Sequence, residues 1–500
     1  MTSARSAVLV ATILGSSMVF IDGTAVNVVL PVLQTDLHAN AVQLQWVVVG
    51  YSLFLSSLIL AGGSLGDHYG RRKMFVIGTV VFAAASIACG FAPNAAALII
   101  ARCIQGIGSA MLTPGSLALI GANFDEQSRG KAIGTWSSAT AVMAALGPGL
   151  GGFLAQHVSW RSIFFINVPL AIGVVIIALR AVPESRDHER VHHLDWLGAF
   201  ACTAGLGLIA YGLTFASTTW TIVGVILLGA FVVIEARSKS PLVPLDLFRS
   251  PTFSAVNALT LLLYGGLAGV TFFLPFEMIQ VDGYTPTAAG FAFLPFIAII
   301  FTLSPIAGAL MPKIGARVML VVGPLVVAAG FVLLGLAGGH IDYWTAYLPA
   351  IVVIGIGMGF TVAPLTTTAI DAADADQMGV ASGVNNAVSR VAGMLAIAGL
   401  GALVLSLFSN DLQRELKAVG VPPSVASAVM AQRASLAATT APADSDAATK
   451  ALVHRAVDGA YLAAYRIVMF ACAGLAAAGA LVVVVSVAPR RVPRPVTPIA

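Results

Sequence analysis

Four ionisable side chains interrupt stretches of sequence that are otherwise apolar: Asp22, Arg102, Glu277 and Arg390. A charge inside an apolar span is costly in lipid and marks a path for an ion, a proton or a substrate. Asp22 and Arg102 have opposite signs and lie in the same half of their segments. At 1.5 Å per residue they stand roughly 16 Å and roughly 9 Å from the segment ends, so they can face one another or one cavity. An aspartate placed this way can bind either a proton or a cationic substrate. Arg102 heads a stripe of Gln105, Gly106, Ser109 and Thr113, whose spacing puts all five on one helical face. The plainer reading is that Arg102 staples two helices through backbone carbonyls. Arg390 shows a similar polar face with Ser382, Asn386, Ser389 and Gly393. Glu277, beside Phe273, Pro275 and Phe276, reads equally as a solvated interfacial carboxylate or as a substrate group. Glu235 and Arg466 fall close enough to segment ends to snorkel into water.

The elements that must position these residues follow from composition. Hydrophobic residues make up 58% of 500 positions, charged residues only 10%, and the mean hydropathy is +0.93. A soluble domain carries roughly a quarter charged residues to cover its surface, so lipid is the solvent that suits this chain. Fourteen segments reach the ~20 apolar residues that a membrane helix needs: 7–33, 44–64, 74–91, 96–120, 132–155, 162–180, 196–216, 220–236, 253–279, 287–311, 318–337, 343–365, 380–408 and 459–487. Arg5 and the apolar run after it look like a signal peptide. The run continues past Asp22 without a small-residue cleavage site, so an uncleaved first span is expected. Cys89, Cys103, Cys202 and Cys472 lie inside apolar segments without metal-ligand spacing and read as small buried hydrophobes. The net charge of +4 gives no reason to expect nucleic acid.

Lys and Arg are concentrated in cytoplasmic loops of membrane proteins. With the N-terminus inside, the basic residues collect on one side, among them Arg71, Arg72, Lys73, Arg129, Lys131, Arg190, Lys239, Lys313, Arg490, Arg491 and Arg494. The short loops opposite hold only Arg161. Both termini are thus expected in the cytoplasm. A polar stretch at 409–458 is expected outside, as a short helical cap or a disordered flap. The chain also repeats itself. GSLGDHYGRR at 63–72 returns in degraded form as GALMPKIGAR at 308–317, and GKAIGTWSSA at 130–139 parallels GVASGVNNAV at 379–388. Two six-helix units separated by two extra spans explain these offsets and the count. The expected divisions are a bundle at 1–190, two linker helices at 191–240, and a second bundle at 241–500. Parallel repeats of this kind place a substrate site between the halves.

The fifth span contains Gly147, Pro148, Gly151 and Gly152. Proline kinks a helix, and Gly147 with Gly151 makes a close-packing face, which suits a helix that seals or bends a cavity. No GxxxxGK[ST] phosphate loop, HExxH, GxSxG or His cluster occurs, which argues against ATP hydrolysis and against a membrane hydrolase.

GSLGDHYGRRK at 63–73 resembles the signature loop between spans two and three of the major facilitator superfamily. RCIQGIGSA at 102–110 resembles its fourth-span motif, and GPGLGG at 147–152 its fifth-span antiporter motif, with Met143 where a glycine usually leads. IDGTAVNVVLP at 21–31, QWVVVGYSL at 45–53 with its Tyr51, and WRSIFFINVP at 160–169 are similar to the fourteen-span drug:proton antiporters of the EmrB/QacA type. The resemblance implies an all-α polytopic protein that works by alternating access and is driven by a proton gradient, without other cofactors or metal. It implies a proton-coupling role for Arg102, antiport for the Gly147–Gly152 helix and conformational control for the 63–73 loop. Asp67, Gly70, Arg71, Arg72 and Lys73 form a candidate latch, its charge pairs expected at the cytoplasmic junction of the halves. Asp22, Arg102, Gln105, Tyr51, Glu277, Asn386 and Arg390 are the candidates for proton coupling and substrate. The expected partners are a small lipophilic substrate, protons and membrane lipid. A monomer in a bacterial-type inner membrane is expected. Export of lipophilic, often cationic compounds leads; export of one endogenous lipid or secondary metabolite is the alternative, and an enzyme or channel is a third reading.

Overall fold

In lipid, backbone N–H and C=O groups are satisfied only inside helices or closed barrels, and this chain takes the helical solution. The computed structural model describes residues 3–186, 195–238, 241–337, 339, 342–374 and 377–487. The boundary expected at 190/191 and the side chains of Arg190, Lys239, Arg490, Arg491 and Arg494 lie outside the described residues. Among the described residues, 14 helices are long and apolar enough to cross a bilayer. They are α1 (Arg5–Asp36), α2 (Ala41–Tyr69), α3 (Arg71–Gly90), α4 (Ala95–Asn123), α5 (Gln127–His157), α6 (Ser162–Ala181) and α7 (Trp196–Thr214). The others are α8 (Thr218–Arg237), α9 (Pro251–Val281), α10 (Pro286–Ile314), α11 (Ala316–Leu336), α12 (Tyr343–Asp371), α13 (Met378–Ala418) and α14 (Ala447–Ser486).

The repeat seen in the sequence is a repeat of packing. In the first six helices α1 packs on α5 and α6, α4 on α2 and α3, and α3 on α6. In the last six the corresponding pairs are α9 with α13 and α14, α12 with α10 and α11, and α11 with α14. The two bundles meet along two matching seams, α5 against α10 and α13 against α2. The linker helices α7 and α8 pack on each other, and α7 lies over the α2/α13 seam. Gly70 and its repeat partner Gly315 both join consecutive helices at positive φ, +115° and +91°, where a side chain would be strained.

The polar stretch at 409–458 takes the helical option. α13 runs on to Ala418 and α14 begins at Ala447. At 41 and 40 residues each they are ~60 Å long, about twice the ~30 Å hydrocarbon core. A helix at Pro423–Ala431 and a 3-10 turn at Arg433–Ala438 bridge them. This end of the molecule is termed the cap face. The opposite end, with Arg71–Lys73, Arg129, Lys131 and Lys313, is the basic face.

The halves are joined at the cap face by direct backbone approach. A Cβ at Gly152 would lie 2.1 Å from the Pro286 carbonyl oxygen, and one at Gly290 would lie 2.2 Å from that of Pro148. On the second seam a Cβ at Gly401 would lie 2.0 Å from Gln45 Nε2. Gln34 of α1 ties the cap down: its Nε2 donates to the Ser435 carbonyl at 2.8 Å, while its Oε1 accepts from Gln280 Nε2 of α9 at 3.0 Å.

Gly152→Ala adds a methyl that fits only when this face is open. Overpacking of this kind costs about 1–3 kcal/mol, which shifts a two-state balance about 5- to 150-fold toward opening. Hydrogen exchange by mass spectrometry should show faster amide exchange at 286–291 in the variant. Unchanged exchange there would mean that the glycine contact does not hold the face closed.

Candidate functional site

α4 can carry an arginine into the bundle because its neighbours approach it at backbone distance. A Cβ at Gly106 would lie 2.4 Å from the Tyr51 carbonyl oxygen, and one at Gly108 would lie 2.6 Å from the Phe82 nitrogen. Small residues of this kind let membrane helices close up, and the long side chain of Arg102 fills the space left between α1, α2 and α4. Its N-terminus is fixed by Asn94, whose side chain accepts from the Ala97 N–H at 2.9 Å.

The structure brings Asp22 and Arg102 together, each only 1% exposed. Arg102 Nη1 donates to Asp22 Oδ2 at 2.5 Å and to Gln105 Oε1 at 2.7 Å, and its Nε donates to the Val47 carbonyl at 3.2 Å. Gln105 Nε2 donates to Asp22 Oδ1 at 3.0 Å and to Ser86 Oγ at 2.8 Å. The guanidinium stacks 4.1 Å above the Tyr51 ring, and the Ser109 hydroxyl bonds that of Tyr51 at 3.1 Å. Arg102 therefore does staple α2 through a backbone carbonyl, but its carboxylate and amide partners are what complete it. Ser86 also accepts from Asn167 Nδ2 at 3.0 Å, which extends the network to α3 and α6. Neither residue stood out in the sequence, since a lone Ser or Asn in an apolar span carries no spacing signal.

Other candidates fall elsewhere. Asn386 is exposed and Arg390 half-buried on α13, with Arg390 Nε donating to Asn386 Oδ1 at 3.0 Å. They belong to the second bundle and do not join the Asp22 network, although the charge of Arg390 reaches Tyr51. Glu277 is not interfacial and solvated: it is 2% exposed. Glu235 does not snorkel either. It is 2% exposed, with Oε2 accepting the Val243 N–H at 2.9 Å, because the chain after α8 folds back over it.

The latch loop also differs from expectation. Asp67 accepts from Arg71 Nε at 2.8 Å within its own loop. Arg72 and Lys73 donate their backbone N–H groups to Glu184, at 3.0 and 3.2 Å, so Glu184 caps α3 where the helix dipole favours an anion. These pairs lie within the first bundle and do not bridge the halves. A Cβ at Gly70 would sit 2.9 Å from the Glu184 carboxylate carbon, which adds a packing reason for that glycine. The repeat keeps part of the device: Arg72 Nη1 donates to the Val182 carbonyl at 3.1 Å, and its partner Arg317 donates to the Val484 carbonyl at 2.7 Å. Pro312 stands where Asp67 does.

Gly147 and Gly151 press on α1, where their Cβ atoms would lie 1.9 Å from Thr24 Oγ1 and 2.9 Å from Ala25 Cβ. Gly149 and Gly152 face α10 instead. Immediately on the basic side of this seal, the α5/α10 seam widens into a cavity of about 300 Å³. Thr24, Asn27, Pro148, Thr271, Phe293 and Phe296 line it, drawn from both bundles. Its wall is nearly all apolar, and Asn27 Oδ1 is buried there with no hydrogen-bond partner among the described residues.

The family description of the Major Facilitator Superfamily matches residues 12–397. The chain is 33% identical over 434 residues to the multidrug resistance protein Stp of Mycobacterium tuberculosis, covering 85% of this chain and 80% of that one. It is 31% identical over 408 residues to the tetracenomycin C resistance and export protein of Streptomyces glaucescens, covering 80% and 76%. Its fold is similar to the inward-facing, occupied crystal structure of a bacterial homologue of the human lysosomal transporter Spinster, with TM-score 0.66, 16% identity and 97% of each chain covered. The chain belongs to the major facilitator superfamily, and its fourteen spans fit the fourteen-span drug:proton antiporter type. It is a multi-pass membrane transporter rather than an enzyme.

Removing one partner of a buried ion pair leaves an uncompensated charge, at about 3–5 kcal/mol. Asp22→Ala and Arg102→Leu should each lower the thermal unfolding midpoint of the purified protein. The double variant should lose less than the sum of the two, as expected for residues in contact. Strictly additive losses would show that the pair does not act as a unit.

Proposed function

We propose that this protein is a proton-coupled antiporter that exports lipophilic, often cationic small molecules by alternating access. The observation that carries this reading is the buried Asp22–Arg102–Gln105 network, on the same first helix whose Thr24 and Asn27 line an apolar cavity between the bundles. An apolar cavity with a few convergent polar groups is the usual form of a small-molecule site. The relatives named as resistance and export proteins support drugs or toxic compounds as the substrate class.

The chemistry follows from the partners of each group. When Asp22 takes a proton, Arg102 loses its counter-charge but keeps Gln105 Oε1, the Val47 carbonyl and the face of Tyr51. The cation therefore stays solvated by protein while the tie between α1 and α4 weakens. α1 also carries Thr24, whose hydroxyl donates to the Ala144 carbonyl at 3.2 Å, and Gln34 beneath the cap. A change in the charge of Asp22 thus acts on the helix that lines the cavity and holds the cap-face closure. In this reading the basic face is cytoplasmic, and the closed cap face marks a state open to the cytoplasm. The excess of Lys and Arg at the basic face supports that orientation.

Export of an endogenous secondary metabolite uses the same machinery, and the export protein of Streptomyces glaucescens keeps that alternative in view.

In cells lacking other pumps, wild type should lower ethidium accumulation, and a protonophore should abolish the effect. Asp22→Asn at equal protein level should abolish it too; unchanged efflux would remove Asp22 from the coupling. Ala141→Phe places a ring into the cavity, where overpacking of about 1–3 kcal/mol corresponds to about 5- to 150-fold weaker substrate binding. The readout is the concentration dependence of ethidium transport. An unaltered dependence would place the substrate elsewhere.

A further inference from the structure

Glu277 is the buried acid that the Asp22 network does not use. It opens a π-helical turn, Glu277–Val281, at the cap end of α9. It is 2% exposed, and its Oε2 has no hydrogen-bond partner among the described residues. No cation forms an ion pair with it among those residues, in contrast to Asp22. The elements packed against this turn are the rest of α9, α10, α14 and the 3-10 turn of the cap. The groups whose charges reach Glu277 are Asp282 on its own side and Asp458 and Arg466 on α14. Two of the three carry its own sign, and Arg466 is exposed. Tyr461 and Tyr465 of α14 stack on each other 6.4 Å apart beside it, and the Tyr465 hydroxyl is likewise buried and unpartnered. Tyr347 faces the same cluster and hydrogen-bonds Asp282. Arg433, on the cap turn, points to solvent.

An anion in this setting has lost its water without gaining an ion pair or, at Oε2, a hydrogen bond, whereas a neutral acid there can both donate and accept. We propose that Glu277 is a second proton-binding site, in the C-terminal half, that holds its proton while the cap face is closed and exchanges it when that face opens. The route is short: Gln280, one turn on, is the residue that joins α9 to Gln34 and thence to Ser435 of the cap. Parting of that junction brings water within a turn of Glu277, and hydration is what an ionised Glu277 lacks. The proton passes between the carboxyl group and water on the cap side, with no other reactant. The proposal rests on the proton-coupled reading above, and its test separates the two.

The full-length protein, purified in lipid nanodiscs, is examined by infrared difference spectroscopy over a pH titration without substrate. Wild type should show a carboxylic-acid carbonyl band at neutral pH that is lost in Glu277→Gln and kept in Asp22→Asn. Glu277→Asp should restore a band at a shifted position. The amide of Glu277→Gln mimics a neutral acid, so its thermal midpoint at neutral pH should match wild type. A spectrum identical in wild type and Glu277→Gln overturns the proposal, as does a marked loss of stability in Glu277→Gln. In proteoliposomes, Glu277→Gln should flatten the dependence of ethidium transport on the pH of the cap-side solution while transport driven by a pH gradient persists; an unaltered cap-side dependence overturns the proposal. Wild type that ignores the gradient counts against proton-coupled efflux, and the infrared band still decides Glu277.

Discussion

A guanidinium inside a membrane bundle needs acceptors on several sides at once, and the first half of this protein is built around meeting that need for Arg102. The acceptors come from Asp22 on α1, the Val47 carbonyl on α2 and Gln105 on its own helix. Three helices must therefore lie at fixed depth and rotation relative to one another. The glycines of α4 permit that closeness, and the apolar Phe75, Phe82 and Phe164 fill the remaining volume. Desolvation of two charges costs several kcal/mol per ion and is offset only by good geometry and further hydrogen bonds. The site is therefore poised: with every bond made it is stable, and neutralising one oxygen alters the balance of the whole.

The second half has the same helix pairings without the same chemistry. Its α12 corresponds to α4, but Gly355, Gly357 and Gly359 pack there with no arginine among them. Asn385 instead bonds Asn257 and Thr260 at 3.1 and 2.8 Å, a neutral tie between α13 and α9. One architecture thus carries a charged junction in one bundle and neutral ones in the other. In the proposed reading the bundle with the charged junction is the one that responds to protonation at its centre, while the other offers Glu277 near its cap end.

The sequence made legible whatever rests on periodicity or on rare charges in apolar surroundings. Fourteen spans, the six-helix repeat, the Arg102 face and the facing of Asp22 toward it all follow from such signals. The GxxxG face of α5 was legible for the same reason, since small residues four apart have one obvious use. What stayed hidden depends on how the chain returns after a span. Glu184 and Glu235 both lie near span ends, where a carboxylate is ordinarily solvated. Each is enclosed or engaged by a segment whose path no local pattern specifies. Glu277 was ambiguous because depth along a helix does not say which neighbours close over it; α10, α14 and the 3-10 turn of the cap, packed against its turn, do so. The pairing at 67–73 was hidden for a related reason: the charges were visible, but Glu184, which accepts the backbone N–H groups of Arg72 and Lys73, comes more than a hundred residues later.

The way the halves touch bears on how readily they can part. No ion pair crosses between them among the described residues; the pairs at Asp22, Asp36, Asp67, Asp125 and Glu184 are all internal to the first bundle. The cap-face closure includes apolar packing, glycine contacts, the two bonds of Gln34 and the bonds of Thr287 to Gln156 Oε1 at 3.2 Å and to the Gly152 carbonyl at 3.4 Å, each such bond contributing about 0.5–1.5 kcal/mol net. Contacts of this kind are short in range and are lost together over a small separation. A pair of rigid bundles held by them has two discrete arrangements rather than a continuum. In the proposed cycle one proton or one substrate biases these arrangements by its differential affinity for the two states. Under the proposed coupling, strong charges buried inside one bundle, with weaker contacts between bundles, are the division that would let a chemical event at Asp22 be read out as motion at the seams.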